Sequence, residues 1–304
     1  YMSKAPETEE EKLRFGRFLQ YTKNQLMELL ENYPQIKGFW FDGTWDQSWI
    51  QSYAFTYALE QEMRAKHPGL IIGSRFRNDE FGKRHFDSNG ELLGDYEQGW
   101  ERKLPESIDW LAGNDWDAVM TIPPNGWGYM KDWSGLYTKT SDDLLAMLMH
   151  TVSMNGNLVI NFGPDGDGNM HPEEMKIATA IGKWMSVNGE AVYHTKHAGL
   201  SPSKIGYFTR NTENLYLTVF NRPVNDIVRI AVPKDATEVP ISAALLVGGQ
   251  ELPLKRADIG LDLDKKTYYD LLLPADFKAK EAFVIKMKLG SAASAATKLM
   301  DAKM

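Results

Sequence analysis

The sequence contains no cysteine. Disulfides, thiolate metal sites and cysteine nucleophiles are therefore excluded over its 304 residues. The compartment stays open, because a secreted protein can fold without disulfides. No uninterrupted apolar run approaches the roughly 18 residues that a bilayer-spanning helix needs, so no membrane span is expected. No basic block is present, and 34 Lys and Arg against 41 Asp and Glu leave a formal charge of −7. That balance argues against a nucleic-acid partner. Several signatures of chemistry are missing too. No G-x-G-x-x-G follows a strand-like run, and neither a phosphate loop nor a G-x-S-x-G elbow occurs. The 6 histidines show no H-E-x-x-H or other ligand spacing. In Gly163–Asn169, Asp165, Asp167 and Asn169 fit the first, third and fifth positions of a calcium loop. Met170 then stands where glycine is needed and Lys176 where glutamate is needed, so the segment reads as a strand-to-helix turn. No metal or organic cofactor is expected.

What is abundant is aromatic: 9 Trp and 13 Tyr, many of them between Trp40 and Tyr137. Such a density suits a site that stacks flat apolar faces against rings. The length suffices for one large domain or two ordinary ones. Apolar residues at Leu13, Phe15, Leu19, Leu26, Leu29 and Leu30 predict a helix over Glu9–Tyr33, stopped by Pro34. Strands are predicted at 38–41, 70–75, 92–96, 118–122 and 157–162. Helices are predicted at 49–66, 141–154 and 172–187. Short apolar strands alternating with helices predict βα units and a parallel sheet. After about Thr195 the helical period vanishes and six short strand-like runs follow, at 204–208, 215–221, 227–232, 244–247, 267–273 and 282–288. That is the pattern of an all-β sandwich. The expected organisation is α/β over 1–195, β-sandwich over 196–290 and a low-complexity tail over 291–304. About five strands in the first part fall short of a closed (β/α)₈ barrel. A start on a long helix leads us to expect that the first βα units are missing from this sequence.

In parallel α/β folds functional residues gather at the C-terminal ends of strands. The polar residues there are Asp42, Arg75, Asp95, Glu97, Glu101, Asn125, Asp165 and Asp167, with Trp40, Trp45, Trp100 and Trp127 among them. Carboxylates beside aromatic rings are what glycosidic cleavage needs. One carboxylate attacks the anomeric carbon, a second protonates the leaving oxygen, and rings take the CH face of the sugar. Each residue also has a plainer reading. Asp42 before Gly43 fits a turn, Arg75 a rim salt bridge, one of Glu97 and Glu101 a solvated loop, and Trp127 a core position.

Taken in order, GFWFDGTW, IIGSRF, GDYEQGWERKLPE, NGWGY, VSMNGNLVINFGPDGDGNM and IGKWMSVNGEAVY resemble the α-L-fucosidases of glycoside hydrolase family 29. The resemblance spans roughly Glu9 to Thr195. It implies a (β/α)₈-like barrel followed by a β-sandwich, and retaining exo-hydrolysis that releases terminal α-L-fucose from fucosylated glycans. It makes Asp42 the nucleophile and Glu101 the general acid/base, with Glu97 as runner-up. Trp40, Arg75 and Trp127 become sugar-binding residues, and Glu101 protonates the aglycone oxygen and later deprotonates water. It also implies a periplasmic, extracellular or lysosomal setting. Relatives often carry Trp-Glu where this sequence has Trp116-Asp117. The family's N-terminal barrel half, which supplies histidines for the sugar hydroxyls, has no counterpart in it. Three rival readings follow: a catalytically incomplete carbohydrate-binding relative, a retaining hydrolase for another sugar such as an α-galactoside, and a purely structural carbohydrate-associated module.

Overall fold

The structure is a computed structural model that describes residues 4–107, 109, 113–124, 126–200, 203–257, 265–279 and 281–293. Asn125 and residues 294–304 of the expected tail lie outside the described residues. The chain divides into two compact units, Tyr1–Ala118 and Val119–Met304.

The first unit opens with α1 (Glu9–Asn32), started by a reciprocal capping box. The Glu11 amide donates to Thr8 Oγ1 at 3.2 Å, and the Thr8 amide donates to the Glu11 carboxylate at 2.9 Å. Then come β1 (Gly38–Phe39), α2 (Gln47–Ile50), α3 (Tyr53–Lys66) and β2 (Ile71–Ile72). β1 and β2 pair in parallel, with Gly38 opposite Ile71. Leu26 and Leu30 of α1 meet Leu59 and Met63 of α3 over Leu70, Ile72 and Phe76. Each such side chain contributes about 1.5–3 kcal/mol of burial. Leu13 and Leu29, two members of the expected apolar stripe, are exposed.

Two local expectations need correction here. The single helix expected from Trp49 is two helices: Asp46 caps the short α2, and Ser52, at φ −93° and ψ 26°, leaves helical geometry before α3 begins. The strand expected at 92–96 forms later, as β3 (Glu97–Glu101). Residues before it are turned by Gly94 at φ 136°, and the Asp95 carboxylate accepts the Ile72 amide at 2.7 Å. Glu97 and Glu101 therefore sit inside a strand. The unit ends on the first residues of β4 (Trp116–Thr121), beside β3, where the Glu97 amide donates to the Asp115 carbonyl at 2.8 Å.

In the second unit β4 continues beside β5 (Gly156–Asn161), and α4 (Ser141–Ser153) and α5 (Pro172–Asn188) flank β5 in sequence. A 3₁₀ turn (Gly189–Ala191) closes the helical part. From there on the described elements are mainly strands: β6 (Lys196–His197), β7 (Gly206–Arg210), β8 (Asn214–Val219), β9 (Ile227–Pro233), β10 (Glu238–Leu245), β11 (Glu251–Leu252), β12 (Leu254–Ala257), β13 (Lys266–Leu272) and β14 (Phe283–Ser291). β10 begins six residues before the run that predicts it, and β11 and β12 carry no clear sequence signal. One sheet runs β11-β10-β14-β8-β7-β6 and a smaller one β12-β13-β9. Alternation along a strand sends neighbours to opposite faces. Leu215, Leu217, Val219, Phe283, Ile285 and Met287 face the second sheet through a shared core. Tyr216 and Val284, on the opposite face, pack with Leu145, Met149 and Trp184 of α4 and α5. β8 is therefore buried on both faces. Among the described residues no helix is long and apolar enough to cross a membrane.

Candidate functional site

Asp42 stands three residues after β1 and is followed by Gly43, whose φ of 126° a side chain would resist. The chain turns there and leaves the carboxylate at the end of the strand. Its approach is held from two sides. Gln98 Nε2 donates to the Phe41 carbonyl at 2.6 Å, and the Phe41 and Phe76 rings pack with centroids 4.5 Å apart. Phe76 follows Arg75 directly, and its carbonyl accepts the Trp49 indole N–H at 2.6 Å.

Arg75 joins the acidic groups. Its Nη1 donates to Asp42 Oδ1 at 3.0 Å and lies 3.6 Å from Glu101 Oε2. Its guanidinium also rests over the Trp40 ring, 5.8 Å from the centroid. Arg102 approaches Glu101 from the other side, at 3.4 Å. Glu101 keeps a third of its side chain exposed and Asp42 about half, whereas Arg75 keeps 10%. The cation is fixed and the two carboxylates reach solvent.

Glu97 differs. It lies on the same face of β3 as Glu101, because four residues separate them on a strand. It is 2% exposed, and its Oε1 is 2.9 Å from His85 Nδ1. Ser74 Oγ sits 3.1 Å from the same nitrogen and accepts the Gln98 amide at 2.9 Å. Gly99 leaves the room the Glu97 carboxyl occupies, since a Cβ there would collide with Glu97 Oε1.

Asp117 lies within β4 and accepts the Trp40 indole N–H at 3.0 Å on Oδ2. Burial, with Glu97 adding to it, pushes its carboxyl up to about 6 against the opposing pull of Trp40 and Arg75. Burial likewise raises the Tyr96 hydroxyl well above its ordinary range, and Asp117 raises it further. In the sequence Asp117 stands out only as a departure from the Trp-Glu of its relatives. The signal that marks it is an acid in the run WDAVMTI, where the other polar side chain is the uncharged Thr121. His85, Gln98 and Arg102 had no comparable signal.

Other candidates have structural work. Asp95 pairs with Arg64 at 3.0 Å. Asp165 organises the turn before α5, accepting the amides of Asp167 and Asn169 at 2.9 and 2.8 Å. Trp127 belongs to the second unit, where its carbonyl accepts Asn161 Nδ2 at 2.8 Å. A cavity of about 1010 Å³ borders Asp42 and Arg75 on the side of α1, with Phe15, Phe18, Trp49 and Phe76 among its walls. Among the described residues, then, the structure gathers Trp40, Asp42, Arg75 and Glu101 at the ends of three successive strands of one unit, with Asp117 near the start of the fourth.

An α-L-fucosidase from Bacteroides thetaiotaomicron assigned to GH29 superposes with a TM-score of 0.86 at 42% identity, over 94% of this chain and 63% of that one. A second structure from that organism is a trapped covalent intermediate with 2-fluoro-fucosyl fluoride (TM-score 0.85, 41% identity, 94% and 64% covered). Mouse tissue α-L-fucosidase is 27% identical over 233 residues, 75% of this chain and 48% of its own length. Human plasma α-L-fucosidase is 29% identical over 266 residues, 82% of this chain and 52% of its own. The chain thus spans about half the length of these curated relatives. The α-L-fucosidase family model matches residues 1–190, and on that match the chain belongs to the α-L-fucosidase family.

Proposed function

We propose that this chain carries the nucleophile and acid/base side of a retaining α-L-fucosidase that releases terminal fucose from glycans. The observation that carries this reading is the shared contact of Asp42 and Glu101 with one nitrogen of Arg75, at 3.0 and 3.6 Å. Those two oxygens can be no farther apart than the sum of the two distances. That fits the roughly 5–5.5 Å of a retaining pair better than the roughly 6.5–9.5 Å of an inverting one. A relative trapped as a covalent intermediate, in a variant with glutamine for a glutamate, supports the same chemistry.

In the first step the Asp42 carboxylate attacks the anomeric carbon. The bond from that carbon to the aglycone oxygen breaks, and Glu101 gives its proton to the departing oxygen. In the second step water attacks the same carbon, Glu101 takes the water proton, and the ester to Asp42 opens with configuration retained. The hydrogen bond from Arg75 to Asp42 supports attack by that carboxylate, and proton transfer is given to Glu101, the other acid within reach of the same cation. The Trp40 ring, 46% exposed, offers a stacking face for the sugar and its apolar methyl. Within this reading, residues 1–195 are the later part of a (β/α)₈-like barrel and 196–290 its β-sandwich partner.

The test is nitrophenol release from an aryl α-L-fucoside by the wild-type chain, D42A, E101A and E97A. Loss of about 10³-fold or more in kcat is expected for D42A, and azide is expected to restore E101A but not E97A. Wild-type turnover in D42A would remove the nucleophile assignment. Azide rescue of E97A instead would move the acid/base role to Glu97. A wild-type chain that binds fucose and releases no nitrophenol would favour the incomplete carbohydrate-binding relative.

A further inference from the structure

Asp117 belongs to neither step above, yet a buried acid on an interior strand needs a reason. β4 is buried along its whole described length, and Asp117 is 5% exposed within it. What it holds is the indole N–H of Trp40, at 3.0 Å. Trp40 is two residues before Asp42, and its ring is open to solvent while Arg75 rests over it. Two side-chain torsions set the tilt of this half-exposed ring. Among the described contacts, the edge bond to Asp117 and the guanidinium of Arg75 are what define it. We propose that Asp117 is a positioning residue that anchors the Trp40 indole, and that the anchor loosens when its carboxylate takes up a proton.

Geometry and charge point the same way. Trp40 reaches Asp117 from the end of β1, Arg75 from the end of β2, and Tyr96 and Glu97 from the start of β3. Arg75 favours the ionised carboxylate, Glu97 opposes it, and burial opposes it most, placing its titration at about 6. An N–H bond to a carboxylate is roughly twice as strong as one to a neutral acceptor. The anchor is therefore firm above that range and weakened below it. For the sugar this means that the tilt of the stacking face is set from beneath by a group that never touches substrate. That consequence rests on the fucosidase reading; the anchor itself does not.

The experiment has one arm for each. In ¹⁵N-labelled full chain, the Trp40 indole resonance is assigned by its disappearance in W40F. It is expected to shift with pH around a midpoint of about 6, and D117N is expected to abolish that titration. An indole resonance that ignores pH in wild type, or titrates equally in D117N, overturns the anchor whether or not the chain turns over. The second arm uses aryl α-L-fucoside kinetics. D117A is expected to raise KM about 10-fold and to change kcat by less than about threefold, with D117E restoring most of the loss. In a W40F background D117A should add nothing. Equal losses in both backgrounds would mean that Asp117 serves only the fold, and would overturn the positioning role. An inactive wild type that shows the NMR titration would fail the fucosidase reading and leave the anchor standing.

Discussion

Glu97 and Glu101 share a strand, a face and a charge type, and the difference between them is access. A general acid has to come within hydrogen-bond reach of the leaving oxygen, directly or through one water. Glu101, between Arg75 and Arg102, keeps solvent exposure. Glu97 is enclosed with His85, and its Oε2 has no hydrogen-bond partner among the described residues. Glu97→Gln is expected to keep turnover within about threefold, whereas Glu101→Gln loses about 10²–10⁴-fold in kcat. Glu97→Ala leaves the His85 ring facing a void and is expected to destabilise by about 1–3 kcal/mol in urea titrations. The sequence alone puts both acids behind the third strand with nothing to separate them, because burial is decided by what packs against a residue from elsewhere. The acid in WFDG is more legible, since a strand run, an acid and a glycine in succession describe a strand end locally. The partnership of Trp40 with Asp117 links residues 77 apart, beyond any local pattern.

At the scale of elements, α1, α4 and α5 were readable because their signals are local: an apolar period and, for α1, the stop at Pro34. The start of α4 is held just as locally, with Thr140 Oγ1 accepting the Asp143 amide at 3.2 Å and the Thr140 amide donating to the Asp143 carboxylate at 2.8 Å. Thr140→Ala is expected to lower stability by about 1 kcal/mol, measured as a shifted urea midpoint at unchanged m-value. Strand ends were less readable. β3 is displaced from its apolar run because Gly94 and Asp95 close a turn there, and that turn depends on an amide of β2. The packing between these strands also depends on a missing side chain. At Gly73 a Cβ would meet the Tyr96 ring at 2.8 Å and collide with Gln98 Oε1. Gly73→Ala must therefore push Gln98, whose other end holds the Phe41 carbonyl just before Asp42. The expected outcome is a lowered melting temperature with a drop in kcat. Gln98→Ala should reproduce the loss of kcat with a smaller stability cost, and normal turnover in both variants would show that the latch does not hold Asp42.

For the whole molecule, pH separates a buried acid from acids held in ion pairs. Asp117 is raised from 3.8 to about 6 in the fold. Between those values the native state binds more protons than the unfolded chain, so stability falls as pH rises through the window and levels off above it. A shift of that size corresponds to on the order of 3 kcal/mol at most. Glu190 and Asp270 run the other way. Lys286 and Tyr216 hydrogen-bond Glu190, and Arg229 pairs with Asp270, so both carboxyls are lowered. Their contribution is fully present above the ordinary carboxyl range and is lost as pH falls below it, through their lowered values. Acid therefore relieves the first unit at Asp117 while it strips the second of these pairs. Urea unfolding of wild type, D117N and E190Q at about pH 4.5 and pH 7.5 reads the two effects apart. D117N, which cannot ionise, should gain on wild type as pH rises from the lower value to the higher. E190Q, which has lost its ion pair at both, should fall further behind wild type over the same rise. A D117N-to-wild-type difference that stays constant across the range would mean that the Asp117 carboxyl keeps the same proton affinity folded as unfolded, and that the pH sensitivity of Trp40 has another source.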